Sequence, residues 1–222
     1  MTKYILFDLD DTIFDFKRSE AFAISQTMQK LGVTPSAFLI SRYSEINDSM
    51  WKKLERGEMT RDEVLTLRFE KFFGELGVAA NFSEVRAFYE KTLGSSYFFF
   101  EGAEQMLDTL SKKYDLYIVS NGTASVQQGR LERSGVGKYF KDIFISQALG
   151  FNKPDVRFFE KACEQIQGFK KEEAVIIGDS LTSDIAGGKS FGIKTVWYAP
   201  HGKQSELPDI TVRSFAEILS IF

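Results

Sequence analysis

The chain has 222 residues, with 28 lysines and arginines against 31 aspartates and glutamates and a net charge of −3 at pH 7. This length suits one large domain, or a core with a small second domain. Because the net charge is negative and the basic residues are scattered, the composition excludes a protein whose main partner is a nucleic-acid polymer.

The composition also restricts the cellular setting. The chain has one cysteine, Cys163, in an apolar helical pattern, so a monomer can form neither a disulfide nor a thiolate metal site, and we predict a small core residue. No apolar run approaches the ~20 residues that span a bilayer, and Asp8 interrupts the amino terminus too early for a secretory signal. We therefore expect a cytoplasmic protein with no membrane partner, and the sequence leaves the oligomeric state open.

The first predicted element is a short strand that leads directly into aspartates. Residues 3–7 form an apolar run that is typical of a buried central strand in a parallel sheet, and Asp8 and Asp10 follow it. Ligands of open α/β sheets bind beyond the carboxyl ends of such strands. Two carboxylates ~4 Å apart repel by about 4 kcal/mol at an effective dielectric of 20, so we expect a divalent cation beside them. The alternative is that Asp10 and Asp11 only begin a turn.

The next segment is predicted to be helical throughout. Apolar residues recur at helical spacing over four stretches, 16–31, 35–55, 60–76 and 82–93. Thr60 and Glu63 form a capping box at the start of the third stretch. The aromatic residues 97–100 are predicted to pack where the chain returns to the first domain. From residue 114 onward strands alternate with helices, so the chain carries a helical insertion within an α/β domain.

Polar residues follow the later strands as well. Ser120, Asn121 and Gly122 end a strand over 115–120, Lys153 precedes a helix over 156–166, and Asp179 and Asp184 follow a strand over 174–178. Carboxyl ends of parallel strands meet at one edge, so these carboxylates, donors and one ammonium can converge. This set predicts a magnesium-dependent site for a phosphoryl group.

In their order along the chain, these motifs resemble those of the haloacid dehalogenase-like hydrolases. Residues 8–12 are similar to the first motif of that family, 120–122 to the second, Lys153 to the third, and Asp179 with Asp184 to the fourth. The resemblance implies an α/β fold, in which a Rossmann-like three-layer core with a parallel sheet comprises residues 1–15 and 97–222. It further implies an α-helical cap inserted over residues 16–96.

The resemblance also implies roles for the site residues. Asp8 would attack phosphorus, Asp10 would act as the general acid and base, and Lys153 would neutralise charge. Ser120 and the amides around Asn121 and Gly122 would hold the phosphoryl oxygens. Mg²⁺ would be bound by Asp8, the backbone carbonyl of Asp10 and Asp179, while Asp184 would orient Lys153 or a metal-bound water.

The expected substrate is a small phosphorylated metabolite. Asp10 can protonate a leaving alkoxide, which a phosphatase needs and a dehalogenase does not. The layout is most similar to the bacterial nucleoside 5'-monophosphate phosphatases that prefer pyrimidines. The alternatives are a phosphoglycolate or sugar phosphatase, a phosphomutase, a haloacid dehalogenase, and a module that binds a phosphorylated ligand without turnover.

His201 and three residues of the helical segment are further candidates for a role. His201 is the only histidine and lies in a turn-like stretch without a nucleophile elbow, so a Ser-His-Asp hydrolase is not supported. Phe16, Arg18 and Trp51 could face a nucleobase, although helical aromatic residues more often pack in a core. We therefore leave these three residues out of the predicted site.

Overall fold

The computed structural model describes all 222 residues and contains one six-stranded sheet. The strands are β1 Tyr4–Phe7, β2 Asp115–Ser120, β3 Asp142–Ile145, β4 Ala174–Gly178, β5 Lys194–Tyr198 and β6 Ile210–Val212. Their order is β3-β2-β1-β4-β5-β6, and every neighbouring pair is parallel. The predicted parallel α/β core is confirmed.

The strand β1 lies in the middle of the sheet, which explains its apolar sequence. Phe7 is in register with Ile118 of β2 and Ile177 of β4, so the three strands end at one edge. All four residues of β1 are buried, because helices cover both faces of the sheet. The residues that follow these strands are therefore close together.

The core helices are α5 Ala103–Leu110, α6 Ala124–Ser134, α7 Ser146–Leu149, α8 Val156–Cys163, α9 Ala186–Phe191 and α10 Phe215–Ile221. They form the outer two layers: Ile5 and Phe7 pack into one hydrophobic cluster, and Tyr4 and Leu6 into another on the opposite face. Helix α8 is shorter than the predicted 156–166, because the chain tightens after Cys163, where Ile166 N–H bonds the Cys163 carbonyl (3.1 Å).

The helices α1 Phe16–Lys30, α2 Ala37–Glu55, α3 Arg61–Glu75 and α4 Phe82–Gly94 lie within the segment that the sequence analysis assigns to the cap. They enclose a hydrophobic cluster of their own, rich in aromatic residues. The capping box of Thr60 and Glu63 is confirmed. Helix α2 begins later than predicted, because Ser36 Oγ accepts the Leu39 N–H (3.2 Å) and leaves Pro35 outside the helix.

Three smaller expectations have a direct structural outcome. Cys163 is buried in the core, as predicted, and burial raises the pKa of its thiol to about 12. His201 is exposed in a turn. None of the helices combines the length and the apolar character needed to cross a bilayer. The cytoplasmic location stays a prediction.

Candidate active site

Lys153 lies at the centre of the residues that follow β1, β2 and β4. Its Nζ donates to Asp8 Oδ1 (2.7 Å), Asp184 Oδ1 (2.6 Å) and the Val119 carbonyl (2.7 Å). The side chain is only 1% exposed, so all three ammonium protons have partners inside the protein. Burial alone would lower the pKa of Lys153, but the Asp184 and Asp8 carboxylates outweigh it and hold that pKa above its ordinary value.

The loop that carries Lys153 is held by Asn121. The Asn121 Nδ2 donates to the Lys153 carbonyl (2.8 Å), and the Lys153 N–H donates to Asn121 Oδ1 (2.8 Å). Both polar atoms of the Asn121 side chain therefore position the lysine.

Three carboxylates form a compact acidic group. Asp8, Asp179 and Asp184 each offer an oxygen, and these oxygens lie within 4.8 Å of one another. Burial raises the pKa of Asp8 to about 8, and repulsion by Asp184 adds to this despite the presence of Lys153. Burial and the same repulsion also hold the pKa of Asp179 well above its ordinary value. An all-oxygen donor set with this excess negative charge fits a hard divalent cation.

The turn after β4 positions the Asp184 side chain. Residues Leu181–Ile185 form a wide helical turn, and the Ser180 N–H donates to Asp184 Oδ2 (3.1 Å). A Cβ atom on Gly178 would come within 2.3 Å of Asp184 Oδ2, so only glycine fits at the end of β4. Asp184 thus belongs to the acidic group as well as to the ion pair with Lys153.

The Asp10 side chain points away from that group, toward helix α6. Gln127 Nε2 donates to Asp10 Oδ2 (2.6 Å) and to Ser120 Oγ (2.9 Å). Arg130 Nη1 forms an ion pair with Asp10 Oδ1 and also donates to Gln127 Oε1 (3.0 Å). Arg130 is fully buried, and its guanidinium lies 4.8 Å from the centroid of the Phe14 ring. Sequence reasoning missed Gln127 and Arg130.

The cap lies over these residues, and a partly open cavity of about 210 Å³ lies between the cap and the core. The cavity wall contains Asp8, Asp10 and Lys153 from the core, and Asn47 and Arg68 from the cap. The sequence analysis missed Asn47 and Arg68, because a polar residue in a helix is equally compatible with a solvent-exposed surface.

Of the three cap residues that the sequence analysis leaves out of the site, the structure places two in the cavity wall. Phe16 and Trp51 line the cavity, while their other atoms pack against the hydrophobic cluster of the cap. Arg18 is exposed and lies 4.1 Å from the centroid of the Phe98 ring, outside the cavity wall. Two of the three candidates can therefore face a ligand.

Arg61, at the start of α3, links the cap to the core. Its Nη1 donates to the Asn121 carbonyl (2.9 Å), and its Nη2 donates to Ser146 Oγ (2.5 Å) and to Asn152. At a second point, Thr182 Oγ1 donates to Glu55 Oε2 (2.8 Å). These contacts hold the cap over the strand ends.

Comparison with known proteins places this site in a family. Residues 5–198 match the model of the haloacid dehalogenase-like hydrolases. The chain is 38% identical to the pyrimidine 5'-nucleotidase PynA of Streptococcus pneumoniae, over 98% of this chain and 93% of that protein. It is 30% identical to the pyrimidine 5'-nucleotidase YjjG of Escherichia coli, over 97% and 95% of the two chains.

A solved structure agrees with this. The crystal structure of the HAD-hydrolase YfnB from Bacillus subtilis, bound to magnesium, superposes with a TM-score of 0.94 at 36% identity, covering 99% of this chain and 98% of that one. The resemblance inferred from the four motifs is confirmed, and the chain belongs to the haloacid dehalogenase-like hydrolases.

Proposed function

We propose that this hydrolase is a magnesium-dependent phosphatase that cleaves small phosphate monoesters through an aspartyl-phosphate, with a preference for pyrimidine nucleoside 5'-monophosphates. The observation that carries the proposal is the geometry of Asp8, which a buried ammonium fixes at the end of the central strand. Ser120 and Asp179, at the ends of the neighbouring strands, line the same cavity.

Asp8 is the nucleophile in this scheme. Lys153 holds its Oδ1, whereas Oδ2 has only the Thr12 hydroxyl at 3.4 Å, so Oδ2 is the oxygen available for attack. The Asp8–phosphorus bond forms while the bond to the ester oxygen breaks. Water then attacks phosphorus, and the Asp8–phosphorus bond breaks to release phosphate.

Asp10 moves the proton in both steps. It gives a proton to the leaving oxygen and later takes one from the attacking water. Gln127 and Arg130 hold its carboxylate in the cavity wall, where the side chain stays 26% exposed and can exchange protons with solvent. Because Gln127 also bonds Ser120, the acid and the predicted phosphoryl donor keep a constant spacing.

Magnesium would be held by Asp8, the Asp10 carbonyl and Asp179, with Asp184 close enough to contact it directly or through water. The metal would supply positive charge that favours ionised Asp8 and offsets the repulsion between that carboxylate and the phosphate dianion. Burial and repulsion among the carboxylates raise the pKa values of Asp8 and Asp179, and the positive charge of the metal would oppose this rise.

The substrate class rests on two observations. PynA and YjjG, which match nearly the full chain, are named pyrimidine 5'-nucleotidases. The cavity wall also includes Phe16 and Trp51, flat aromatic side chains that suit a nucleobase. We therefore place the phosphate at the strand ends and the base under the cap.

The proposal is tested by phosphate release from nucleoside monophosphates, phosphoglycolate and sugar phosphates, with magnesium and then with excess chelator. Strong magnesium-dependent release from pyrimidine nucleotides is the expected result. No release from any ester, or transfer of the phosphoryl group to a second hydroxyl, would overturn it.

The variant Asp8→Asn tests the covalent route. It should lower kcat by about 10³-fold or more, because the amide cannot attack phosphorus. Asp15→Asn is the matched control, since Asp15 only caps helix α1 through the Arg18 N–H (2.9 Å) and should leave kcat unchanged. Substantial magnesium-dependent activity in Asp8→Asn would contradict the aspartyl-phosphate.

A further inference from the structure

A buried polar network lies under the cap side of the cavity, outside the four family motifs. Glu20, which is 2% exposed, accepts from Ser44 Oγ (2.6 Å) and from Asn47 Nδ2 (2.7 Å). Asn47 Oδ1 accepts from Trp51 Nε1 (3.1 Å) and from Arg68 Nη1 (2.8 Å). Every acceptor oxygen of the Glu20 and Asn47 side chains is therefore occupied.

The donors of the same network are in excess. Arg68 is 2% exposed and donates only through Nη1, and its Nε is buried without an acceptor. The guanidinium lies 4.8 Å from the centroid of the Phe69 ring and 4.9 Å from that of Tyr89, and neither ring supplies a carbonyl or carboxylate. A buried donor without an acceptor is costly, so a ligand that presents an acceptor atom to the guanidinium stabilises this network.

The surroundings of Arg68 restrict what kind of acceptor fits. Phe16, Trp51 and Leu65 line the same cavity, and the bond from Trp51 Nε1 to Asn47 fixes the indole. The cavity therefore joins the catalytic carboxylates to an apolar region that contains flat side chains and the Arg68 guanidinium. Arg130 also has unpaired buried donors in the cavity wall, but its ion pair with Asp10 holds it at the catalytic end. A flat ring with a carbonyl on its edge matches that chemistry better than a flexible sugar does.

We propose that Arg68 is a specificity-determining residue that donates to the ring carbonyl oxygen of a pyrimidine base. This inference rests on the proposed nucleotidase function and names the contact that selects the base. Uracil, thymine and cytosine all carry a carbonyl beside the glycosidic bond, whereas adenine has none. The pyrimidine preference then arises because the donor is completed by a carbonyl beside the glycosidic bond, which no purine carries.

The experiment compares kcat/KM for uridine 5'-monophosphate, adenosine 5'-monophosphate and ribose 5-phosphate. Arg68→Lys keeps the positive charge near Glu20 but removes the planar donors. It should lower kcat/KM for the uridine nucleotide by ~10- to 100-fold, mainly through KM, and change that for ribose 5-phosphate less than about twofold. The wild-type preference for uridine over adenosine should shrink by the same factor.

Arg42→Lys is the matched control. Arg42 also joins two cap helices, but it pairs with Glu75 and Glu45 at the surface, away from the cavity. It should leave all three kcat/KM values unchanged. The melting temperature of each variant identifies any loss that comes from a loosened cap.

The outcomes separate the two proposals. An equal loss on all three substrates in a folded Arg68→Lys variant, or an undiminished uridine preference, overturns the role of Arg68 and leaves the nucleotidase function standing. Absence of turnover of both nucleotides by the wild-type enzyme, with release from ribose 5-phosphate intact, overturns the nucleotidase function instead.

Discussion

Two aspartates that are two residues apart have different surroundings and, in the proposed scheme, different tasks. Asp8 is buried against the Lys153 ammonium at the end of β1, whereas Asp10 is partly exposed between Gln127 and Arg130. The same carboxylate group can therefore serve as a fixed nucleophile in one place and as a proton carrier in the other. The difference comes from residues on α6 and in the loop before α8.

At the residue scale we predict that Arg130→Met impairs proton transfer by Asp10 more than the attack of Asp8 on phosphorus. The nucleoside monophosphate needs a proton on its leaving oxygen, while p-nitrophenyl phosphate has a leaving group that departs without one. Proton transfer by a positioned side chain contributes about 10²- to 10⁴-fold, so kcat should fall at least about tenfold more for the nucleotide than for the aryl ester.

Arg133→Met is the control, since Arg133 lies exposed on the same helix. Both substrates are measured for each variant, together with the melting temperature. A loss of equal size on the nucleotide and the aryl ester would show that Arg130 only stabilises the fold.

At the scale of elements, the cap is held together by charge as well as by apolar packing. The network of Glu20, Asn47 and Arg68 takes one residue from each of α1, α2 and α3, inside a cluster of aromatic side chains. Burial raises the pKa of Glu20, and Lys17 at 3.7 Å only partly opposes this. The carboxylate form therefore costs more free energy in the folded protein than in the unfolded one.

The raised pKa of Glu20 makes the stability of the folded protein depend on pH. A carboxyl whose folded pKa is raised destabilises the protein progressively as pH rises from the unfolded pKa through the folded one. Glu20→Gln removes that titration and keeps an acceptor for Asn47. The melting temperature of Glu20→Gln relative to wild type should thus be more favourable at pH 7.5 than at pH 4.5.

Glu45→Gln serves as the control, because the same change is made at a side chain that is 63% exposed. Thermal unfolding monitored by circular dichroism across this pH range makes the measurement. A difference between Glu20→Gln and wild type that does not change with pH would refute the account of the buried carboxylate.

At the scale of the whole molecule, the site lies between the sheet edge and the hydrophobic cluster of the cap. The chain passes from β1 to helices α1–α4 beside Phe14 and comes back to the sheet beside Phe99. The two rings pack 5.0 Å apart there, and the Asp15 N–H donates to the Phe98 carbonyl (2.8 Å). The aromatic run over 97–100 thus packs at the return point, as predicted. The two crossing segments and the Arg61 contacts set how the cap sits over the carboxylates.

For the whole protein we predict that magnesium raises the melting temperature. A ligand that binds only the folded state at 100 times its Kd adds about 2.7 kcal/mol to the free energy of unfolding. Asp179→Asn should reduce this shift strongly, while Asp62→Asn, at a side chain that is 89% exposed in the cap, should retain it. Thermal unfolding with magnesium and with chelator checks this, and an equal shift in Asp179→Asn would remove Asp179 from the metal site.

The parallel sheet, the helical insertion and the residues at the strand ends could be predicted from the sequence. A strand buried on both faces is a continuous apolar run, and the polar residues after it are visible without any knowledge of the fold. This pattern gives Asp8, Ser120 and Asp179 as candidates, whereas Lys153 is predicted from its place before a helix. The helix ends were predicted within a few residues, because their signals are also local.

The tertiary structure alone decided which helical polar residues face the cavity. Arg130 meets Asp10 across 120 positions of sequence, and Arg61 meets Asn121 across 60. Arg68 and Gln127 lie on helices where polar residues ordinarily face water, so nothing in their local pattern separates a cavity wall from a surface. Their roles depend on how the cap lies over the sheet, a long-range packing that periodicity and turn signals do not encode.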